Sequence, residues 1–294
     1  MKAIILAGGA GSRLYPLTQV SSKQLQAVFD KPMIYYPLTV LIASGVKEFC
    51  LISTPHDLPR FRGLLGDGSQ WGVTIEYREQ PRPEGIAQAF LIAADFVGTD
   101  DVILMLGDNI FSGGDDFPRA VSSFVDGATI FAYHVKDPER YGVVEFRDGK
   151  AISIEEKPQN PKSSYAVPGV YIYDNSVIEI AQSVKPSSRG ELEITSVNLE
   201  YLRRGKLQVR RLSRGFAWLD AGTSTALHEA SSYIEAIERR QGVKIGCPEE
   251  AALVREFIGI EQFESLVASM PACEYSEYLS SVADEWHRLR EERA

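Results

Sequence analysis

The chain has 294 residues, enough for one large α/β domain or a domain with a helical appendage, and its 44% hydrophobic content is that of an ordinary globular protein. Its 31 Lys and Arg against 40 Asp and Glu leave a net charge of −9, which argues against nucleic acid as a partner because no basic stripe exists to meet a phosphate backbone. Three scattered cysteines (Cys50, Cys247, Cys273) argue against a disulfide framework and for a reducing, cytoplasmic setting; no apolar run reaches the ~18–20 residues of a membrane span, and the first one breaks too early for a signal peptide.

The first predicted element is a strand over 2–7, an apolar run with no polar alternation. It breaks into Gly8, Gly9 and Gly11, with Ser12 and Arg13 directly behind. Glycines let backbone N–H groups approach an anion unobstructed, and a guanidinium forks onto phosphate oxygens, so this turn reads as a polyphosphate cradle. It is not a P-loop, because no lysine follows at the required spacing. It is not a dinucleotide fingerprint either, because Leu14 takes the place of the third glycine. Lys23, in Ser22-Lys23-Gln24, brings a second cation near the loop.

A helix is predicted over 33–45 and strands over 48–54 and 73–79. The last runs into Gln80, whose amide offers both a donor and an acceptor, and then into a helix over 84–97 with Pro83 near its first turn and Gly85 permitting close backbone approach. The strand over 101–107 ends in Gly107-Asp108-Asn109, which places a carboxylate where open α/β sheets hold ligands. A helix over 116–125 and a strand over 128–135 lead to a hairpin, 142–147 and 151–155, turning at Asp148-Gly149. Beyond it come a strand over 166–173, helices over 175–184 and 191–205, and strands over 207–213 and 215–219, the last running into Asp220. From 225 the pattern is helical, and the end, including Arg293, reads as a solvated last helix of alternating charge. The alternation predicts an α/β fold: a mostly parallel mixed sheet, helices on both faces, and a C-terminal helical extension. One face of that extension is apolar, which predicts contact with further copies of the chain.

Three segments, Gly8–Leu14 (G-G-x-G-[ST]-R-L), Ser22–Gln24 (S-K-Q) and Asp30–Ile34 (D-K-P-M-I), closely resemble the opening of the sugar-1-phosphate nucleotidyltransferases. The similarity runs from Met1 to about Gly242 and continues more loosely to the end. Gln26 and Ala27 stand where leucine and proline are expected, Pro168 and Ala221 where threonine is frequent, and Ser196 where aspartate is usual. Within the family, the chain is most similar to the branch that acts on dTTP and glucose 1-phosphate.

The resemblance implies a Rossmann-like three-layer α/β/α fold, with a catalytic domain over 1–223 (nucleotide part about 1–110, sugar-phosphate part about 111–223) and a helical extension over 224–294. It implies Mg²⁺-dependent, in-line attack of α-D-glucose 1-phosphate on the α-phosphorus of dTTP, giving dTDP-glucose and pyrophosphate for deoxysugar synthesis, in a cytoplasmic homotetramer. Arg13, Lys23 and Lys157 are then catalytic. The nucleotide contacts are Leu6, Gly8, Gly9, Gly11, Ser12, Arg13, Gln24, Gln80, Pro83, Gly85 and Asp108. The sugar-phosphate contacts are Leu106, Asn109, Tyr141, Gly142, Glu156, Lys157, Val167, Arg189 and Trp218. Asp108 and Asp220 hold the metal, since Mg²⁺ takes one or two carboxylates beside phosphate oxygens and water. Thymine and uracil differ by one methyl, so the sequence leaves UTP open as a second nucleotide. A non-catalytic nucleotide-sugar sensor is the competing class, and the complete set of charged groups argues against it.

Overall fold

Apolar runs without alternation become strands buried on both faces, and the 3.6-residue apolar periods become the helices that bury them. The computed structural model describes residues 1–9 and 11–292; Ala10 of the glycine turn and Arg293 of the charged end lie outside the described residues. The elements run in the order β1 (Lys2–Leu6), β2 (Ala27–Val28), β3 (Lys31–Pro32), α1 (Tyr35–Ala43), β4 (Glu48–Ser53), α2 (Leu58–Leu65) and β5 (Thr74–Glu79). Next come α3 (Gln88–Ile92), α4 (Ala94–Val97), β6 (Val102–Leu106), β7 (Asn109–Ser112), α5 (Asp116–Ser122) and β8 (Ala128–His134). β9 (Gly142–Arg147), β10 (Lys150–Glu156), β11 (Tyr165–Ala166), β12 (Val170–Tyr173), α6 (Val177–Ser183) and α7 (Ile194–Arg203) follow. β13 (Leu207–Arg211), β14 (Ala217–Asp220), α8 (Ser224–Gln241), α9 (Pro248–Val254), α10 (Ile260–Ala268) and α11 (Glu274–Glu291) complete the described chain.

The central sheet has ten strands in the order β10-β9-β11-β8-β12-β6-β1-β4-β5, with β13 joined to β8. β5, β4, β1 and β6 are mutually parallel, so their carboxyl ends share one edge. β12 runs antiparallel to β6, pairing Val170 with Met105, so the segment just before β12 arrives at that same edge. β7 and β14 form a separate two-stranded ribbon whose register sets Asp220 opposite Asn109.

One face of the sheet buries Ile5, Leu51 and Met105 against α1 and α2; the other buries Ile4, Ile52 and Leu104 against α3, α6 and α7. Leu253 of α9, Phe263 of α10 and Leu279 of α11 belong to the first of these cores. These three side chains are therefore covered within the chain, while Val254 and Leu289 of the extension remain exposed.

The predicted elements differ from the observed ones where backbone groups are claimed elsewhere. The helix expected from 84 starts at Gln88, because the turn before it donates and accepts across the chain: Leu192 N–H to Glu84 C=O at 2.7 Å and Ala87 N–H to Leu192 C=O at 3.1 Å. Gly85 has φ +110°, and a Cβ there would lie 2.4 Å from the Leu192 carbonyl oxygen. Its glycine is demanded by this packing, and Pro83 lies five residues ahead of the helix rather than in its first turn. The strand expected over 166–173 divides into β11 and β12 because Pro168 has no N–H to pair. The hairpin turns as expected, with Asp148 and Gly149 at φ 50° and 78°, the left-handed pair of a type I′ turn.

Candidate active site

Two cavities open at the shared strand edge. The smaller, about 230 Å³, lies over the turn that follows β1 and is lined by Gly8, Gly9, Gly11, Ser12, Arg13, Lys23, Gln24, Asp108 and Gly222. Gly9 (φ 106°) and Gly11 (φ 55°) give the turn a left-handed backbone, after which Ser12–Leu14 form one 3₁₀ turn. Lys23 is buried, and its Nζ donates to Asp108 Oδ2 at 2.7 Å. Gln24 is also buried, and its Oε1 has no hydrogen-bond partner among the described residues.

The larger cavity, about 600 Å³, is lined by Arg13, Leu106, Asp108, Asn109, Tyr141, Gly142, Glu156, Lys157, Val167, Trp218 and Asp220 from the expected set. Arg13 and Asp108 line both cavities and mark where they meet. Arg13 is exposed and has no carboxylate within 4 Å among the described residues, so its charge is uncommitted. Lys157 is half-exposed, 4.0 Å from Glu156 Oε1, and its backbone sits at φ 43°, a conformation a non-glycine residue adopts at a cost.

Asn109 organises the wall. Its Oδ1 accepts from the Gly169 N–H at 3.0 Å and from Trp218 Nε1 at 2.8 Å, while its Nδ2 donates to Asp108 Oδ1 at 3.0 Å. Trp218 is thus fixed beside Tyr141, ring centroids 4.9 Å apart. Burial and the nearby Asp220 carboxylate push the Tyr141 phenol up to about 12, so it stays protonated at neutral pH. Gly169 is required here, since a Cβ would lie 2.6 Å from the Leu106 side chain.

Five expected contacts line neither cavity. Leu6 lies at the end of β1, packed into the core beneath the turn. Gln80 is buried at the end of β5, its Nε2 donating to Gln88 Oε1 at 2.7 Å; a Cβ on Gly8 would meet its Oε1 at 2.2 Å. Pro83 and Gly85 occupy the clasped turn described above. Arg189 is committed to a fork on Glu193, at 2.9 and 3.0 Å from its two carboxylate oxygens.

Sequence reasoning assigned no site role to Arg140, Tyr171, Glu193, Thr195 or Asn198, all of which line the larger cavity. Thr195 Oγ1 donates to Glu156 Oε2 at 2.5 Å, which orients that carboxylate. Thr195 and Asn198 are one helical turn apart on α7, a spacing that puts them on one face. Arg140 directly precedes the Tyr141-Gly142 pair, and its Nη2 donates to Asp220 Oδ2 at 2.7 Å.

Asp220 ends β14 and pairs with Asn109, the first residue of β7, so Asp108, in the turn just before β7, comes close to it. Two hard oxygen donors so placed fit a divalent cation. No group of three or more His, Cys, Asp or Glu gathers as a metal cluster among the described residues, so substrate oxygens and water would complete the shell.

A family model described as nucleotidyl transferase matches residues 2–237. The chain is 53% identical to a glucose-1-phosphate thymidylyltransferase of Xanthomonas campestris pv. campestris over 285 residues, covering 96% of this chain and 97% of the relative. It is 54% identical to one from Mycolicibacterium smegmatis over 288 residues, covering 97% and 99%. A Bacillus anthracis protein crystallised with sucrose matches with a TM-score of 0.75 at 44% identity, over 79% of this chain and 94% of that one. A UDP-glucose pyrophosphorylase complexed with UDP-glucose shares the fold, with a TM-score of 0.69 at 19% identity over 82% and 99%.

Proposed function

The chain belongs to the nucleotidyl transferase family, and from that premise we propose that it transfers a thymidylyl group from dTTP to glucose 1-phosphate, releasing dTDP-glucose and pyrophosphate. The observation that carries this reading to the site is the junction: Arg13 and Asp108 border a glycine-lined cavity on one side and a polar, aromatic-walled cavity on the other. A triphosphate in the first and a sugar phosphate in the second would meet there.

The attacking phosphate monoester has a second pKa near ~6 and is largely dianionic at neutral pH, so no general base is needed. The barrier is the meeting of two polyanions, and the chain's task is positioning and charge compensation. The glycine turn's N–H groups and Arg13 hold the triphosphate, and Lys23 adds charge beneath it. Gln24 Oε1 finds a partner on the nucleotide. Lys157 orients the attacking phosphate, while Glu156, held by Thr195, accepts sugar hydroxyls. Asp108 and Asp220 would hold Mg²⁺, which would supply neutralisation of phosphate charge. The assignment of Gln80, Pro83 and Gly85 to the base rests on the family resemblance, since none of the three lines either cavity. In this reading 1–223 is the catalytic domain and 224–294 its helical support.

No helix among the described residues is long and apolar enough to cross a membrane. A reducing cytoplasmic setting accords with the free thiols of Cys50, Cys247 and Cys273. The homotetramer rests on the family resemblance alone, and light scattering tests it. Pyrophosphate release across dTTP, UTP, CTP, ATP and GTP against glucose, galactose, mannose and N-acetylglucosamine 1-phosphates tests the activity. A dominant metal-dependent signal for dTTP with glucose 1-phosphate is expected. Another dominant pair would overturn the base or sugar assignment, and silence from nucleotide-binding protein would favour a sensor.

A further inference from the structure

The two carboxylates assigned to the metal are bonded alike. Asp108 Oδ1 accepts from the neutral Asn109 amide at 3.0 Å, and its Oδ2 from the Lys23 ammonium at 2.7 Å. Asp220 Oδ1 accepts from the neutral Gly222 N–H at 2.9 Å, and its Oδ2 from the Arg140 guanidinium at 2.7 Å. Each therefore has one oxygen fixed by a neutral donor and one neutralised by a cation. Arg140 has a second anchor, Asp137 Oδ2 at 2.6 Å, and its guanidinium carbon lies 5.3 Å from the Tyr141 ring centroid. It can leave Asp220 without losing its place on the wall.

This arrangement has a consequence for how a metal enters. A free divalent cation would have to displace two positive charges from the oxygens it needs, and it brings nothing to receive them. A metal that arrives with a triphosphate brings oxygen anions onto which Lys23 and Arg140 can move. We propose, on the basis of the function assigned above, that Arg140 and Lys23 are built-in counter-ions that keep free divalent metal off Asp108 and Asp220, so that metal and triphosphate load together. Arg140 is thereby a positioning residue for metal uptake. By linkage, metal and nucleotide must tighten one another by the same factor.

The test is Mn²⁺ binding, read as loss of the aquo-ion EPR signal and corrected for metal held by nucleotide in solution. It is run with and without the α,β-methylene analogue of dTTP, which cannot transfer its nucleotidyl group. The parent protein should bind Mn²⁺ weakly alone and roughly tenfold or more tightly with the analogue, the scale of an ordinary coupling between sites. Arg140→Gln should tighten binding to the nucleotide-free protein and shrink the gain from the analogue. Arg140→Lys, which keeps the charge, should restore the parental value. Thermal melts of each variant report folding. Unchanged Mn²⁺ affinity in nucleotide-free Arg140→Gln overturns the proposal, as does an equal gain in both variants, which would assign the effect to packing rather than charge. Asp220→Asn separates this from the metal assignment itself: tight ternary binding in that variant would remove Asp220 as a ligand, whatever Arg140 does.

Discussion

Arg13 stands on the wall common to both cavities with its charge free, which suits a group that meets charge developing during transfer. Arg13→Ala should lower kcat by about 10²–10³, as removal of one such donor does, with a smaller change in KM for sugar phosphate; steady-state kinetics decide it. Gly8 is tested differently. A methyl there would lie 2.2 Å from Gln80 Oε1, the end of a flexible side chain, so the fold tolerates it while Gln80 must leave its bond to Gln88. Gly8→Ala should raise KM for dTTP well above its effect on KM for glucose 1-phosphate, with little loss of melting temperature. Arg13, Asp108, Lys157 and Asp220 were legible because charges sit beside turns in a spaced motif. Thr195 and Asn198 were not, because a polar residue on an amphipathic helix looks the same whether it faces water or a cavity. Arg140 was overlooked beside a recognised pair, and Arg189 was legible as a residue but not in its commitment to Glu193.

At the scale of elements, the parallel strands β1, β4, β5 and β6 were readable to within one residue at each end: double burial leaves a continuous apolar run in β1, β4 and β6, while the edge strand β5 alternates apolar and polar residues. α2 escaped because Pro59 and Gly63 break its helical signature, although Leu58, Phe61 and Leu65 keep the period and are buried. β7 escaped because it follows β6 after two residues and reads as its tail. The turn before α3 shows how tertiary pairing overrides local propensity: its groups belong to Leu192, not to a helix. Gly85→Ala would set a Cβ 2.4 Å from one backbone atom of Leu192 and 2.5 Å from another, neither of which can swing away as a side chain would. The expected cost is about 2–4 kcal/mol, combining strain at positive φ with overpacking. Urea unfolding should show it as a lower midpoint at unchanged slope.

Across the whole molecule, buried phenols set the response to alkali. Burial pushes Tyr35, Tyr77 and Tyr141 up to about 12, and raises Tyr36, Tyr171 and Tyr201 further. An unfolded tyrosine titrates near ~10. Below that pH both states keep these protons and no slope arises. Between about 10 and 12 the unfolded chain binds fewer protons than the folded one, so stability falls as pH rises. The buried Cys50 and Cys247 thiols are raised in the same way, so denaturant midpoints taken from pH 8 to 11 should begin to decline near ~8.5, where unfolded thiols titrate, and fall more steeply above ~10.

In the proposed reaction the sugar phosphate itself is the nucleophile, striking the α-phosphorus at the junction of the two cavities. Its most direct test is the stereochemical course with a single diastereomer of dTTP carrying sulfur on the α-phosphorus. One in-line displacement predicts inverted configuration in the dTDP-glucose analogue. Retention would require two displacements through an enzyme-bound nucleotidyl group, and would contradict the account.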